Sequence, residues 1–358
     1  MLKGRNRNLP FFVSAKNGTT WRFQPGTHRK FIAGCGDITR EKGKLLAMAF
    51  VSQAMSSHVT CVLNGSAGSN HVAEAREHLT RLFAGNGSQA RILLAQSRAD
   101  ITACACRGVQ ENSQPVVAGG GDGTVNAVAA ALVGTETSLA ILPLGTWNHF
   151  AKDLRIPLDL EGAARNIVTG RVATVDVGEV NGHIFLNNSG LGIYPRIVRQ
   201  REQQQSRGHS KWVAFAQAVV SVLSSYSLLQ VRLRVDGEDE LARDTPFVFV
   251  GNNRYEIEGS DIGERKRLDA GQLCVYMAHR AGRGNLLRLA LDALFGRLKA
   301  NDLDALDAKE IRVQARKQLL NVATDGEVEL MNTPLHYRIR PRALRVIVPV
   351  EEDQASAA

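Results

Sequence analysis

The stretch Pro115-Val116-Val117-Ala118-Gly119-Gly120-Gly121-Asp122-Gly123-Thr124-Val125-Asn126-Ala127-Val128-Ala129-Ala130-Ala131-Leu132 reads as a short buried strand, a glycine turn and a helix in direct succession. A glycine-rich turn between a strand end and a helix start lets backbone N–H groups close on an anion, and the helix dipole favours negative charge there. Nucleotide phosphates are the natural occupants. The spacing is not that of a P-loop, which requires Gly-Lys-Ser/Thr, nor a clean dinucleotide fingerprint. Taken alone the run is insufficient, because glycines also serve plain tight turns.

Working outward, the pattern from Val59 alternates strand and helix. Val59-Thr60-Cys61-Val62-Leu63 is an apolar strand followed by the polar turn Asn64-Gly65-Ser66-Ala67-Gly68. Val72, Ala75, Leu79, Leu82 and Phe83 then recur at helical spacing. Strands at 91–95, 115–118 and 139–142 and a helix at 99–109 complete a βαβ succession, which implies a parallel sheet with ligands at its strand carboxyl ends. After Arg171 the character changes. Segments 172–180 and 183–187 are joined by Asn181-Gly182, a hairpin signal, and further strands are expected at 230–235, 247–250, 273–277, 310–315, 336–339 and 344–348. Two helices are expected, at 211–225 and 285–299. The predicted fold is an α/β nucleotide domain over 58–178, completed by a strand at 336–349, and a β-rich, antiparallel sandwich-like domain over 179–335. An active cleft is expected between them.

Composition is that of an ordinary soluble protein: 358 residues, 44% hydrophobic and 22% charged. No stretch approaches the roughly 18 apolar residues of a membrane span. Cys35, Cys61, Cys104, Cys106 and Cys274 are odd in number and scattered, which points to reduced thiols. Most of the net charge of +9 sits in residues 1–57, where ten Lys/Arg face only Asp37 and Glu41. That segment has no helical or strand period and is expected to be a disordered basic extension, either a tether to anionic lipid or a tail preceding a start at Met48 or Met55. Residues 350–358 are expected to fray. With its body nearly neutral, the chain does not read as a nucleic-acid binder.

A third turn, Pro143-Leu144-Gly145-Thr146-Trp147-Asn148, falls at the same sheet edge as the first two. Gly-Gly-Asp-Gly-Thr followed by Pro-Leu-Gly-Thr-x-Asn resembles the diacylglycerol kinase catalytic-domain family, and the resemblance runs from about Val59 to Pro349. It implies nucleotide-binding roles for Asn64, Gly68, Gly120, Gly121, Asp122, Gly123, Thr124, Asn126, Gly145 and Thr146. Gly65 stands where the family has proline, and His149 where it often has aspartate; His149 reads as a helix-start residue. Asp122 could act on Mg²⁺ or order its own loop.

The family's catalytic Asp-Gly-Glu has two matches here. Asp236-Gly237-Glu238 is explained by a hairpin turn, whereas Asp325-Gly326-Glu327 has the family's position near Pro341–Pro349. The resemblance therefore implies Asp325 or Glu327 as the base that takes the proton of an acceptor hydroxyl. Two departures stand out. Phe185-Leu186-Asn187-Asn188-Ser189-Gly190-Leu191-Gly192 continues as Ile193-Tyr194-Pro195-Arg196 without the usual carboxylate, and Arg196 and Arg199 either reach phosphates or sit on a solvated helix. The family's structural-metal segment reads Asp269-Ala270-Gly271, which leaves Asp269 as a lone candidate Mg²⁺ ligand.

What the resemblance implies is an ATP- and Mg²⁺-dependent lipid kinase, with a diacylglycerol-like acceptor favoured. It would be cytoplasmic and peripheral at the inner face of the membrane, with transient membrane contact through apolar faces at 211–225 and 285–299, no nucleic-acid partner and an open question of homodimerisation. The alternatives are a nucleotide- or lipid-binding regulator without turnover and, less favoured, an NAD-kinase-type enzyme.

Overall fold

Four apolar runs form the first half of the fold because each is flanked by a helix that covers its face. The computed structural model describes residues 58–66, 69–85, 89–196, 228–256, 263–278, 288, 292 and 302–350. Strands β1 (Val59–Asn64), β2 (Ala90–Ala95), β3 (Val116–Gly120) and β4 (Ser138–Pro143) run parallel in the order β2-β1-β3-β4. Helices α1 (Ser69–Gly85), α2 (Arg98–Gln110) and α3 (Asp122–Leu132) connect them. α2 starts at a capping box: the Ser97 hydroxyl accepts from the Asp100 N–H, and the Asp100 carboxylate accepts from the Ser97 N–H. α4 (His149–Asp153) and α5 (Leu160–Thr169) follow β4. Val62, Leu63, Val117, Ile141, Leu142 and Phe150 are fully buried between these layers, each side chain contributing about 1.5–3 kcal/mol by burial.

The second half is antiparallel. β5 (Arg171–Val180) turns into β6 (His183–Phe185) through Asn181 and Gly182, both at positive φ (47° and 87°), as the Asn-Gly pair predicts. β7 (Asn188–Gly192), β8 (Leu229–Val235), β9 (Leu241–Thr245), β10 (Phe247–Asn252) and β11 (Leu273–Ala278) follow. β12 (Leu303–Ala308), β13 (Glu310–Ala315), β14 (Leu319–Thr324), β15 (Glu327–Asn332) and β16 (Leu335–Val348) complete the order. One sheet of six strands runs β12-β11-β10-β7-β14-β15. It packs against the antiparallel end of a ten-stranded sheet ordered β2-β1-β3-β4-β16-β13-β8-β9, with β5 on β16 and β6 on β5. Phe185, Leu191, Leu233, Val250, Val322 and Tyr337 fill the core between the two sheets. The Tyr337 hydroxyl shares a 3.1 Å hydrogen bond with Ser189, so the polar tip of this buried ring is satisfied.

Strand β16 belongs to both halves. Its first part pairs antiparallel with β13, and Arg345 and Val346 pair parallel with Ser138 and Leu139 of β4. A register break against β5 between Arg340 and Leu344 separates the two parts, with Arg342 at φ 50°. The sequence reads these as two strands; they are one, kinked. It also assigns no strand to β7, β9, β12, β14 or β15; of these, β7 and β9 are rich in glycine or polar residues. The expected helix at 211–225, all but Arg288 and Asp292 of the one at 285–299, and the segments 1–57 and 351–358 lie outside the described residues, as does Arg199.

Candidate active site

Three turns meet at the carboxyl ends of β1, β3 and β4. Asn64 closes its own turn, its Oδ1 accepting from the Ser66 N–H at 3.0 Å, and its Nδ2 donates to Thr124 Oγ1 at 3.1 Å. The Thr124 side chain lies across Gly120, where an added Cβ would stand 2.3 Å from Oγ1. Gly121 caps α3 in extended conformation, leaving the first N–H groups of the helix without a side-chain cap. Such free N–H groups are what an anion occupies. Gly145 sits against Gly121 so closely that a Cβ on Gly145 would lie 2.4 Å from the Gly121 Cα. Asn148, at φ 51°, holds this third turn: its Oδ1 accepts from Gly145 N–H and its Nδ2 donates to Gly145 O. Asp122 Oδ1 accepts from the Phe150 N–H at 3.3 Å, tying the α3 start to the α4 start. Thr146 is exposed beside these turns, and Gly68 lies outside the described residues.

Across from them stands the β14–β15 hairpin. Asp325 and Gly326 occupy its two-residue turn at φ 49° and 88°. The Asp325 carboxylate accepts four hydrogen bonds: from the N–H groups of Leu186 (2.7 Å), Asn187 (2.8 Å) and Asn188 (3.0 Å), and from Asn126 Nδ2 (2.7 Å). Burial pushes the Asp325 pKa up, while the three backbone donors and Asn126 oppose that shift. Four N–H donors fill the acceptor positions of a carboxylate and favour its charged form.

Asn126 is the buried link between the two sides. Its Oδ1 accepts from Arg98 Nη2 at 2.7 Å, and Arg98 Nη1 donates to Glu327 Oε2 at 2.6 Å. The other Glu327 oxygen hangs over Gly123, where a Cβ would meet it at 3.1 Å. Thus Asp325, Asn126, Arg98 and Glu327 form one chain of bonds around the start of α3. Arg98 escapes a reading of local motifs because its partner is 229 residues away; the Ser97–Asp100 capping pattern is the signal that places it at a helix start.

A second unanticipated group lies behind the Leu186–Asn188 peptide. Arg265 is 4% exposed and directs its guanidinium at Asp153, the Leu186 and Asn252 carbonyls and the Asn187 amide oxygen. Its Cζ also lies 5.3 Å from the centre of the Tyr255 ring. Tyr194, Tyr255 and Tyr276 each meet Phe249 edge-on, and the Tyr194 hydroxyl donates to Asn188 Oδ1 at 3.2 Å. This aromatic group adjoins the peptide that holds Asp325.

The remaining sequence candidates are elsewhere. Asp236 follows β8 at φ 47°, its carboxylate accepting from the Lys309 and Glu310 N–H groups, a turn role as expected. His149 is exposed at the α4 start, stacked on Trp147 at 5.8 Å. Arg196 is exposed beyond β7. Asp269 pairs with Arg267 at 3.1 Å, and among the described residues no three His, Cys, Asp or Glu side chains come together as a metal would need. No helix among the described residues is long and apolar enough to cross a membrane.

An α/β half feeding a sandwich, with an acidic hairpin at their junction, is the arrangement expected of the diacylglycerol kinase class. The sequence comparisons agree. Residues 58–180 match the diacylglycerol kinase catalytic domain, and residues 193–348 match the YegS C-terminal NAD kinase beta sandwich-like domain. A probable YegS-like lipid kinase of Pectobacterium atrosepticum is 30% identical over 59% of this chain and 71% of its own. One from Klebsiella pneumoniae is 36% identical over the same shares, and a diacylglycerol kinase of Mycobacterium tuberculosis is 26% identical over 88% and 98%. The crystal structure of a diacylglycerol kinase from Bacillus anthracis str. Sterne superposes with a TM-score of 0.60 at 22% identity, over 82% of this chain and 97% of that one. This chain belongs to the diacylglycerol kinase catalytic-domain family that includes the YegS-like lipid kinases.

Proposed function

We propose that this protein transfers the γ-phosphate of Mg·ATP to the hydroxyl of a diacylglycerol-like lipid. The observation that carries the reading is the bond chain from the α3 start through Asn126 to the Asp325–Glu327 turn, which joins a phosphate-type loop to two carboxylates. The triphosphate would lie on the N–H groups of Gly120–Thr124 and the Gly145–Thr146 turn, with Asn64 and Asn126 fixing the loop from behind. Arg98 supplies positive charge beside it. Positioning and charge neutralisation account for most of the rate in such a transfer.

Of the two carboxylates, Glu327 is assigned proton acceptance. All four acceptor positions of Asp325 are occupied by N–H donors, whereas Glu327 keeps an oxygen facing the loop at Gly123. Asp325 then anchors the hairpin to the Leu186–Asn188 peptide and sets where Glu327 stands. The aromatic group at Tyr194, Phe249, Tyr255 and Tyr276 offers an apolar wall on the acceptor side. Mg²⁺ arrives with the nucleotide as part of the substrate.

The test is the full chain with Mg²⁺ and γ-labelled ATP over a total bacterial lipid extract, diacylglycerol, monoacylglycerol and sphingoid bases. A labelled lipid is expected, lost in Glu327→Gln. Label lost in Asp325→Asn but retained in Glu327→Gln moves the base to Asp325. Absence of any labelled lipid, with ATP bound, overturns the reading in favour of a regulator.

A further inference from the structure

The peptide Leu186-Asn187-Asn188 links β6 of one sheet to β7 of the other, and it is gripped from both sides. Its three N–H groups go to Asp325. On its other side, Arg265 Nη1 donates to Leu186 O at 2.7 Å and Arg265 Nη2 to Asn187 Oδ1 at 2.8 Å. Asn252 Nδ2 adds a bond to Leu186 O at 2.8 Å. The remaining guanidinium contacts are Asp153 Oδ2 (from Nε at 2.9 Å and Nη2 at 2.5 Å) and Asn252 O (from Nη1 at 2.9 Å). Asp153 closes α4, which begins directly after the Gly145–Asn148 turn, and Asn252 ends β10.

We propose that Arg265 is a positioning residue for the reaction: a buried permanent cation that sets the Leu186–Asn188 peptide, and through it Asp325 and the base-bearing turn, against the phosphate-side turns. It rests on the kinase reading above for its kinetic consequence, though not for its structural one. Three separate chain segments (at 153, 186–187 and 252–255) converge on one planar group whose donor directions are fixed. A planar five-donor cation can satisfy them together in a way that neither a neutral side chain nor the point charge of lysine can. The geometry also answers the Mg²⁺ expectation at Asp269-Ala270-Gly271. The donors there do not fit a metal, since Ala270 offers no carboxylate and Asp269 is turned to Arg267. The cation at this junction is covalent, so the alignment of the hairpin does not depend on a divalent ion bound by that segment.

Three measurements on the full chain test this. In amide hydrogen exchange, Arg265→Lys and Arg265→Met should speed exchange at residues 186–188 selectively, while Arg267→Met, on the exposed neighbour, leaves them unchanged. In the kinase assay, kcat should fall about 10- to 100-fold with the ATP KM held within about twofold, as expected for a misplaced catalytic group. Millimolar guanidinium chloride should restore part of the kcat of Arg265→Ala, and equal sodium chloride should not. The wild-type melting temperature, measured without nucleotide, should be the same in Mg²⁺ and in chelator. The proposal is overturned by wild-type exchange at 186–188 in folded Arg265→Lys, by acceleration spread evenly over the chain, or by a melting temperature that chelation lowers. Should no lipid be phosphorylated by the wild type, the kinase reading fails while exchange and chelation still decide the role of Arg265.

Discussion

Asn126 and Asp325, 199 residues apart in sequence, meet at 2.7 Å and bind the N-terminal half of α3 to the turn of a sandwich hairpin. Asn126 is buried and uses both ends of its amide, donating to Asp325 and Ile184 O and accepting from Arg98. Asn126→Ala leaves the Arg98 and Asp325 groups short of a partner, at a cost of about 1–3 kcal/mol. Lipid phosphorylation should fall further than stability accounts for, by about 10- to 100-fold in kcat. Denaturant unfolding and steady-state kinetics on the same preparation check both.

Gly145→Ala tests the close approach of the two phosphate-side turns. The added methyl would press on the Gly121 backbone, which cannot yield as a side-chain end would. The two turns must part, so nucleotide binding measured by calorimetry should weaken by at least about tenfold. Gly182→Ala, at a positive-φ hairpin position with open space around it, should reduce stability by about 1 kcal/mol and leave binding intact.

Removing Asp153 isolates the buried guanidinium. The Arg265–Asp153 pair has side-chain exposures of only 0% and 9%. Asp153→Ala strands a charge away from water, which costs about 3–5 kcal/mol. Chemical denaturation should show that loss, and a loss below about 1 kcal/mol, the range of an exposed pair, would contradict the described burial.

The cross-strand pair Glu310–His336, on β13 and β16, makes a pH prediction. The hydrogen bond from His336 leads the effects that hold the Glu310 carboxyl below the usual carboxylate range. Its folded pKa is depressed, so its contribution is present above the titration of the unfolded carboxyl and is lost as pH falls through the lower folded midpoint. A carbon-detected NMR titration should find that midpoint low, and His336→Gln should return it toward the ordinary value.

Thiol chemistry separates the described cysteines. Burial pushes the Cys61 and Cys274 thiols up to about 12, and both side chains are enclosed, whereas Cys106 is exposed. A thiolate-selective reagent at neutral pH should modify Cys106 and spare Cys61 and Cys274 until the chain unfolds.

The parts of this architecture legible in the sequence are those whose cause is local. β1, β3 and β4 are continuous apolar runs because both faces of a parallel sheet are covered, and the Gly120–Thr124 and Gly145–Thr146 turns announce themselves by residue type. Asn181-Gly182 fixes its hairpin by needing positive φ twice. By contrast β7, read as Asn-Ser-Gly-Leu-Gly, is a strand only because β10 and β14 supply its partners. The Asp325-Gly326-Glu327 triplet is visible, but the hydrogen bonds of Asp325 are not, since they come from the distant amides of Leu186–Asn188. Arg98 and Arg265 are not legible for the same reason: an isolated arginine in sequence carries no sign of which carboxylate it will meet.

Strand β16 carries a consequence for the order in which the molecule can be made. The nucleotide-side sheet emerges first from the ribosome, yet the strand that flanks β4 is supplied by Arg345 and Val346, after the whole sandwich has been translated. Until then β4 offers a bare hydrogen-bonding edge. The early half can collapse during synthesis but cannot close, and its completion coincides with that of the sandwich. A nascent chain stopped short of β16 would hold β1–β4 and their turns without the one strand shared by both halves.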